Sequence, residues 1–389
     1  MWSTVWEKLH SFCDPLHDPS LERCKYAKYR EERKTTVRVL QGPVERTFSI
    51  GHVLGKGTYG LVKEGVERRT KRRVALKFVS RDSLTPRDEK LLLREAGILA
   101  RMAHGHVVQT YGLYKSRDAY CLTLEYMAGG ELFNDILRRN CYTEACARRV
   151  IIQVLDALAF LHRRGIIHRD IKPENLLLPR VGCQDIKLAD FGFATVLAAP
   201  TYKEVEPVGT PGYAAPELLR LLPYDAKADV FSVGVIAYAL LAGRLPFGGL
   251  NVKQVVLATL RGRVSFASQQ WTATSEDAKS FVKLLLTKDD VSRPKAEEAL
   301  SHPWMKVCGK RLRSNTLSAG RSGNFQCLLE ELQNERKGLR KRMKAVVGVV
   351  MATNRFKVFL EEVNQSVQET TLPREAEEDS EGGNRAAIA

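Results

Sequence analysis

The sequence predicts an α+β protein of two lobes, a small sheet-rich one followed by a larger helical one. Two observations carry this expectation. From Phe48 to about Val79, short apolar and β-branched runs are broken by glycines, as in Ile50-Gly51-His52-Val53-Leu54 and Val74-Ala75-Leu76-Lys77-Phe78-Val79, which is the pattern of sheet strands. From Glu131 to Trp304 apolar residues recur mainly at helical spacing instead.

Taken in order, residues 1–47 form an N-terminal extension in which Trp2, Val5, Trp6, Leu9 and Phe12 lie near helical spacing. They read as a short helix docked on its own protein, the alternative being a partner or membrane site. Residues 48–305 read as one folded unit. Within it, Pro86 to Met102 has the period of a helix and Tyr120 to Tyr126 that of a strand. A basic segment, 306–365, follows: from Gly309 to Gln365 there are twelve Lys/Arg against five Asp/Glu. Residues 366–389 are acidic and contain glycine; such a composition buries too little apolar surface to fold alone and predicts a disordered tail. No fixed-period repeat occurs, nor a D-x-[DN]-x-[DN]-G loop, so calcium is not expected to bind an EF-hand of this chain.

Composition narrows the function classes. With 44% hydrophobic residues over 389 positions the chain can bury a sizeable core. Its longest apolar stretches, Val233 to Ala242 and Ala345 to Ala352, fall short of the roughly 20 residues needed to span a bilayer. The start, Met1-Trp2, has no apolar signal core and no glycine for myristoylation. Eight cysteines are scattered without a C-x-x-C pair, so neither a zinc site nor a disulfide framework is expected, and a reducing intracellular setting follows, cytoplasmic with the nucleus open. The net charge of +16 suits acidic partners, anionic lipid or ATP, while a nucleic-acid role lacks an accompanying aromatic-basic motif.

The chemistry lies in a series of motifs. Gly55-Lys56-Gly57-Thr58-Tyr59-Gly60-Leu61-Val62 is G-x-G-x-x-G-x-V, whose missing side chains let backbone N–H groups approach phosphate oxygens. Lys77 ends the strand-like run Val74-Ala75-Leu76-Lys77, placing a cation within reach of phosphates. Glu95, on the predicted helix and nine residues before His104-Gly105-His106-Val107, is the carboxylate suited to orient it. Further on come His168-Arg169-Asp170-Ile171-Lys172-Pro173-Glu174-Asn175, then Asp190-Phe191-Gly192, then Gly209-Thr210-Pro211-Gly212-Tyr213-Ala214-Ala215-Pro216-Glu217. One such motif arises by chance; five in this order and spacing do not.

From Phe48 to about Met305 the chain resembles the eukaryotic protein kinases, and the resemblance implies the two-lobed kinase fold, ATP and Mg²⁺. It assigns ATP contacts to Leu54, Gly55, Gly57, Gly60, Val62, Ala75, Lys77, Glu95, Leu124, Glu125, Met127, Glu131 and Leu177. Of these, Leu124 matches the gatekeeper, Glu125 and Met127 would offer backbone groups to adenine, and Ala75 and Leu177 would be the apolar ceiling and floor. Asp170 would be the base that takes the proton of the acceptor hydroxyl, Lys172 would steady the transferred phosphoryl, and Asn175 with Asp190 would hold Mg²⁺. Lys172, two residues after the base, and the Gly209 to Glu217 motif are similar to serine/threonine rather than tyrosine kinases. Thr210 would bond near Asp170, Glu217 would pair with Arg293, and Asp229 would brace the catalytic loop.

Gly129-Gly130-Glu131-Leu132-Phe133 is similar to the calmodulin-dependent and related basophilic kinases, implying protein substrates with arginine three residues before the acceptor. A plain helix N-terminal charge is the alternative role of Glu131. In many relatives Arg169 binds a phosphothreonine three residues before the glycine of Gly209-Thr210; here that position is Glu206, a permanent negative charge, so upstream loop phosphorylation is expected to be dispensable, with Thr201 a further phosphosite candidate. In the basic tail, Met343, Val350 and Phe356 stand at positions 1, 8 and 14 behind a cluster of cations. Residues 336–358 thereby resemble a calmodulin-target helix. The alternatives are a helix packed on the large lobe and a nuclear-localisation run in Arg336 to Lys344. Arg311-x-x-Ser314 and Arg313-x-x-Thr316 fit a pseudosubstrate or self-phosphorylated site.

Overall fold

The structure, a computed structural model, describes residues 39–57, 60–82, 84–100, 102–132, 143–197, 203–306 and 353–371. The stretch from Trp2 to Phe12, Thr201, Ser314, Thr316, Met343 and Val350 lie outside the described residues.

Strands β2 (Phe48–Gly57), β3 (Gly60–Glu67), β4 (Arg73–Ser80), β5 (Thr110–Lys115) and β6 (Ala119–Glu125) pair antiparallel in the small lobe. The sheet order is β1-β5-β6-β4-β3-β2. Its sixth strand, β1 (Val39–Gln41), runs parallel to β5 with Val39 opposite Leu113. Part of what the sequence assigns to an extension before residue 48 therefore belongs to the sheet. Three residues are too few for an alternation to register, and the pairing partner is remote in sequence. The apolar positions of helix α1 (Pro86–Leu99), Leu92, Ala96, Ile98 and Leu99, are buried in the core; proline at its first position is pre-set for a helix start.

In the large lobe, α2 (Glu144–His162) begins at Thr143, whose hydroxyl accepts from the Cys146 amide at 3.2 Å. Its buried positions Ala147, Val150, Ile151, Val154, Leu155, Leu158 and Leu161 make one continuous stripe. Next come the paired β7 (Gly130–Glu131), β9 (Leu176–Leu178) and β10 (Lys187–Leu188), and the pair β8 (Ile166–Ile167) with β11 (Thr195–Val196). After the short α3 (Pro216–Leu219), α4 (Lys227–Ala242) is buried almost all round. It contains the apolar run from Val233 to Ala242, which is therefore core; among the described residues no helix is long and apolar enough to cross a membrane. Asn251 and Ser275 cap α5 (Val252–Arg261) and α6 (Glu276–Leu285) by accepting from Gln254 N and Ala278 N. The lobe's last described turns are α7 (Ala296–Ala299) and α8 (Pro303–Lys306).

One further helix, α9 (Thr353–Thr371), lies beyond the catalytic unit. Phe356, Leu360 and Val363, spaced i, i+4 and i+7, are 3%, 0% and 1% exposed and join the main core, with Phe359 packed beside them. This corrects two expectations. Phe356 is a core residue rather than an accessible third anchor beside Met343 and Val350, and the helix continues to Thr371, past the position 366 at which the tail was expected to lose structure. The physical reason is the once-per-turn stripe, which buries against the lobe.

Candidate active site

Lys77 sits on β4 with its ammonium buried, 2.9 Å from Glu95 Oε1 on α1 and 3.2 Å from Asp190 Oδ1 just after β10. Burial alone would strip the lysine of its charge, but the carboxylates of Asp190 and Glu95 outweigh it and hold the ammonium well above the ordinary lysine range. The same cation draws Asp190 below the usual carboxylate range. One fixed charge thus ties the small lobe to the metal-ligand candidate of the large one.

The loop between β8 and β9 carries His168 to Asn175. Its entry is set by Asp229 of α4, whose carboxylate accepts from the amides of His168 (2.9 Å) and Arg169 (2.8 Å) and lies 2.9 Å from His162 Nε2. Burial opposes ionisation of Asp229, yet the hydrogen bond and charge of His162, with the His168 contacts, keep it below its ordinary range. These bonds hold Arg169 in the left-handed region at φ 70°, an unfavourable conformation for a residue with a Cβ.

Asp170 is the hub that follows. Thr210 Oγ1 donates to its Oδ1 at 2.7 Å, Lys172 Nζ donates to its Oδ2 at 2.6 Å, and Asn175 Nδ2 donates to its backbone carbonyl at 2.7 Å and to Oδ2 at 3.2 Å. Lys172 also reaches Thr210 Oγ1 at 3.0 Å. Although burial works against the Lys172 charge, Asp170 raises its proton affinity above the ordinary value. Asp170, Lys172, Asn175 and Thr210 are therefore one hydrogen-bonded cluster, and Asp190 is joined to Lys77 and Glu95 beside it.

Above the cluster, β2 and β3 form the hairpin with the glycine motif, Gly55 opposite Val62 and Gly57 opposite Gly60. A Cβ on Gly55 would enter open space, whereas one on Gly60 would lie 1.7 Å from Phe78 O. Gly60 is thus required by the neighbouring strand, while Gly55 presents bare backbone where an oxyanion could approach. Leu54 is 40% exposed. Ala75 is opposite Leu124 across β4 and β6, and Leu177 is opposite Glu131 across β9 and β7; all four are half-buried, as is Met127. Glu125 also has a use that the sequence did not reveal: its carboxylate takes Lys187 Nζ at 2.8 Å and the Gln109 amide at 3.1 Å.

Arg169 points away from Asp170 to the segment before Thr210, where Glu204 Oε2 lies at 3.6 Å and Glu206 Oε2 at 3.5 Å, with Tyr224 OH at 3.2 Å. Glu204 was not singled out in the sequence, although it is two residues from Glu206. It is the less exposed of the two. Burial opposes its charge, but the Val205 amide, Arg169 and the Glu206 amide keep its carboxyl below the usual range. Further along, Glu217 and Arg293 form a bidentate buried pair at 2.6 and 3.0 Å.

Comparison with known proteins gives the same reading. A family model for the protein kinase domain matches residues 48–305. The chain belongs to the protein kinase family. The calcium/calmodulin-dependent protein kinase cmkA of Emericella nidulans is 36% identical over 313 residues, 80% of this chain and 71% of its own length. Myosin light chain kinase A of Dictyostelium discoideum is 34% identical over 264 residues, covering 68% of this chain and 89% of its own. The type II alpha chain of the Drosophila melanogaster calcium/calmodulin-dependent kinase is 33% identical over 311 residues, 79% of this chain and 57% of its own. The protein is an ATP-dependent serine/threonine kinase of the calmodulin-dependent kinase type, and such kinases use ATP with a divalent metal.

His168 of this kinase core gives a pH-dependent expectation. Its fully buried ring accepts from Asp170 N at Nδ1 (3.3 Å) and lies 3.2 Å from Ala189 O at Nε2, a pattern that assigns the proton to Nε2 of a neutral imidazole. Burial depresses its pKa below 6.5 and outweighs the pull of Asp229, Asp170 and Asp190. A depressed folded value means that its contribution to stability is complete above about 6.5 and is lost as pH falls through the folded pKa. The thermal midpoint of the wild type is expected to fall between pH 7 and 5, and that of His168→Phe to fall less. Equal slopes for the two would remove His168 as the source.

Proposed function

We propose that the kinase transfers the terminal phosphoryl of ATP to serine or threonine in protein sites with arginine three residues before the acceptor, and that its tail places this activity under calmodulin control. The observation that carries the chemistry is the Asp170 carboxylate, shared by Thr210, Lys172 and Asn175 within 3.2 Å. Such a carboxylate is positioned to take the proton of an acceptor hydroxyl, and Thr210 stands where that hydroxyl would enter. Lys172 carries the charge that would steady the transferred phosphoryl, and Lys77, fixed by Glu95, would orient the phosphates.

The side chains fit Mg²⁺. Asp190 supplies a carboxylate, and Asn175, whose Nδ2 is spent on Asp170, offers its amide oxygen; both are hard oxygen donors. Mg²⁺ held by them would offset the negative charge on the phosphates. Leu54, Gly55, Gly57, Gly60 and Val62 would enclose the triphosphate, and Ala75, Leu124, Met127 and Leu177 the base, with Glu131 at the ribose or the substrate arginine.

For control, Glu206 together with Glu204 gives Arg169 two permanent carboxylates within 3.6 Å, which supports activity without loop phosphorylation. Protein from bacteria, free of phosphate, is expected to match protein treated with an upstream kinase; strong activation by loop phosphorylation would reject this. Calmodulin control rests on Met343, Val350 and the cations before them and on the names of the relatives. A second reading, a kinase of this type controlled without calmodulin, is favoured by the burial of Phe356, since a partner gripping that ring must first extract it. Turnover on an Arg-x-x-Ser peptide in EGTA, calcium, and calcium with calmodulin separates the two. Stimulation confined to the last condition supports the first reading; equal rates in all three support the second. Cysteines scattered without a C-x-x-C pair support a reducing intracellular setting.

A further inference from the structure

The segment from Thr210 to Leu219 borders the acceptor side of Asp170, and it is fastened at four points. Thr210 Oγ1 is bonded to Asp170 at 2.7 Å, the Tyr213 carbonyl accepts from Ser232 Oγ at 2.8 Å, and Glu217 takes Arg293 at 2.6 Å. The fourth fastening comes from outside the catalytic unit: Asn364 Nδ2 on α9 donates to the Leu219 carbonyl at 3.0 Å.

A full account of the α3 carbonyls shows why that bond matters. The last carbonyls of a helix lack intrahelical partners and must find others. Here Arg220 N takes Pro216 O, Leu222 N takes Glu217 O and Leu221 N takes Leu218 O. The fourth carbonyl, that of Leu219, is met by Asn364. The amide is delivered by the stripe below it, because position 364 follows Phe356, Leu360 and Val363 on the same face of α9, and those three are buried in the lobe's core. A half-buried asparagine at the end of an apolar stripe is thus aimed at the one α3 carbonyl that the backbone leaves over.

We infer that α9 is a positive element of the enzyme, and that Asn364 is a positioning residue that holds the Thr210–Leu219 segment in its substrate-accepting form. The tail helix supports the acceptor side rather than obstructing it. This rests on the kinase activity itself and is independent of calmodulin. The sign is opposite to that of an inhibitory tail, whose loosening raises activity.

The test uses the full chain and a serine peptide. In Asn364→Asp the donor becomes an acceptor facing a carbonyl, so the KM for peptide is expected to rise about three- to tenfold, the size of one hydrogen bond's contribution, with the KM for ATP unchanged. Asn364→Gln, which keeps a donor, should recover most of the loss. Higher activity in Asn364→Asp would overturn the inference in favour of an inhibitory role. Unchanged peptide kinetics, with or without a lower melting temperature, would overturn it in favour of a merely structural one, as would equal losses toward peptide and ATP. A wild type inactive on every peptide would instead count against the proposed substrate class, which separates the two failures.

Discussion

Asp170→Asn is expected to lower turnover on a serine peptide by about 10²- to 10⁴-fold, the range over which a positioned acid or base acts, while leaving the KM for ATP and the melting temperature near their wild-type values. Asparagine keeps the shape of the side chain and can still accept from Thr210, which donates to Oδ1 at 2.7 Å. It supplies neither the negative charge that Lys172 meets at 2.6 Å nor a group that takes a proton. The effect is therefore expected on kcat, because the proposed phosphate-orienting residue, Lys77, is held by Glu95 and not by Asp170. Single-turnover phosphoryl transfer measures it directly. Transfer at the wild-type rate would remove Asp170 as the base.

Glu217→Ala is expected to be strongly destabilising. The Arg293 side chain is 0% exposed and its bidentate partner 6%, so removing the carboxylate leaves a guanidinium buried without its counter-charge. Breaking such a pair costs about 3–5 kcal/mol. For a domain of this size that is a fall in melting temperature on the order of 10 °C. Arg293 keeps bonds to the carbonyls of Thr287, Lys227 and Lys288, so Glu217→Gln, which retains an acceptor, should lose clearly less. Calorimetry on both variants decides it, and equal losses would mean that charge compensation is not the cause.

The proposed catalytic residues were legible in the sequence because their chemistry fixes both residue type and spacing. Lys77, Glu95, Asp170, Asn175 and Asp190 are drawn together from β4, α1, the loop after β8 and the turn after β10, though nothing in their spacing alone gives those distances. The two lobes were legible for a different reason: strand-type runs dominate before residue 131 and helical periods dominate after it. What escaped were features that depend on distant partners. Strand β1 is three residues long and is defined by Leu113 to Lys115. Glu204 differs from Glu206 only in how the backbone turns each toward Arg169. Phe356 can be counted on paper as a third anchor after Met343 and Val350, about 140° round the helix from Met343, or as the start of the stripe that runs to Val363, and only the surface available for burial selects the second.

Arg169 and Asp190 stand at φ 70° and 62°, left-handed backbone that costs an ordinary residue about 1–3 kcal/mol each. Asp229 holds the first through two amides, and Lys77 faces the second at 3.2 Å. The work of bending the chain into these shapes is done once, during folding, and not repeated in each catalytic cycle. The loop's shape is held by contacts within the chain, which supports a catalytic loop set on folding rather than on nucleotide binding. A chain with glycine at these two positions would relax the backbone but lose the Arg169 and Asp190 side chains and the contacts they make, so some stability is given up to keep them.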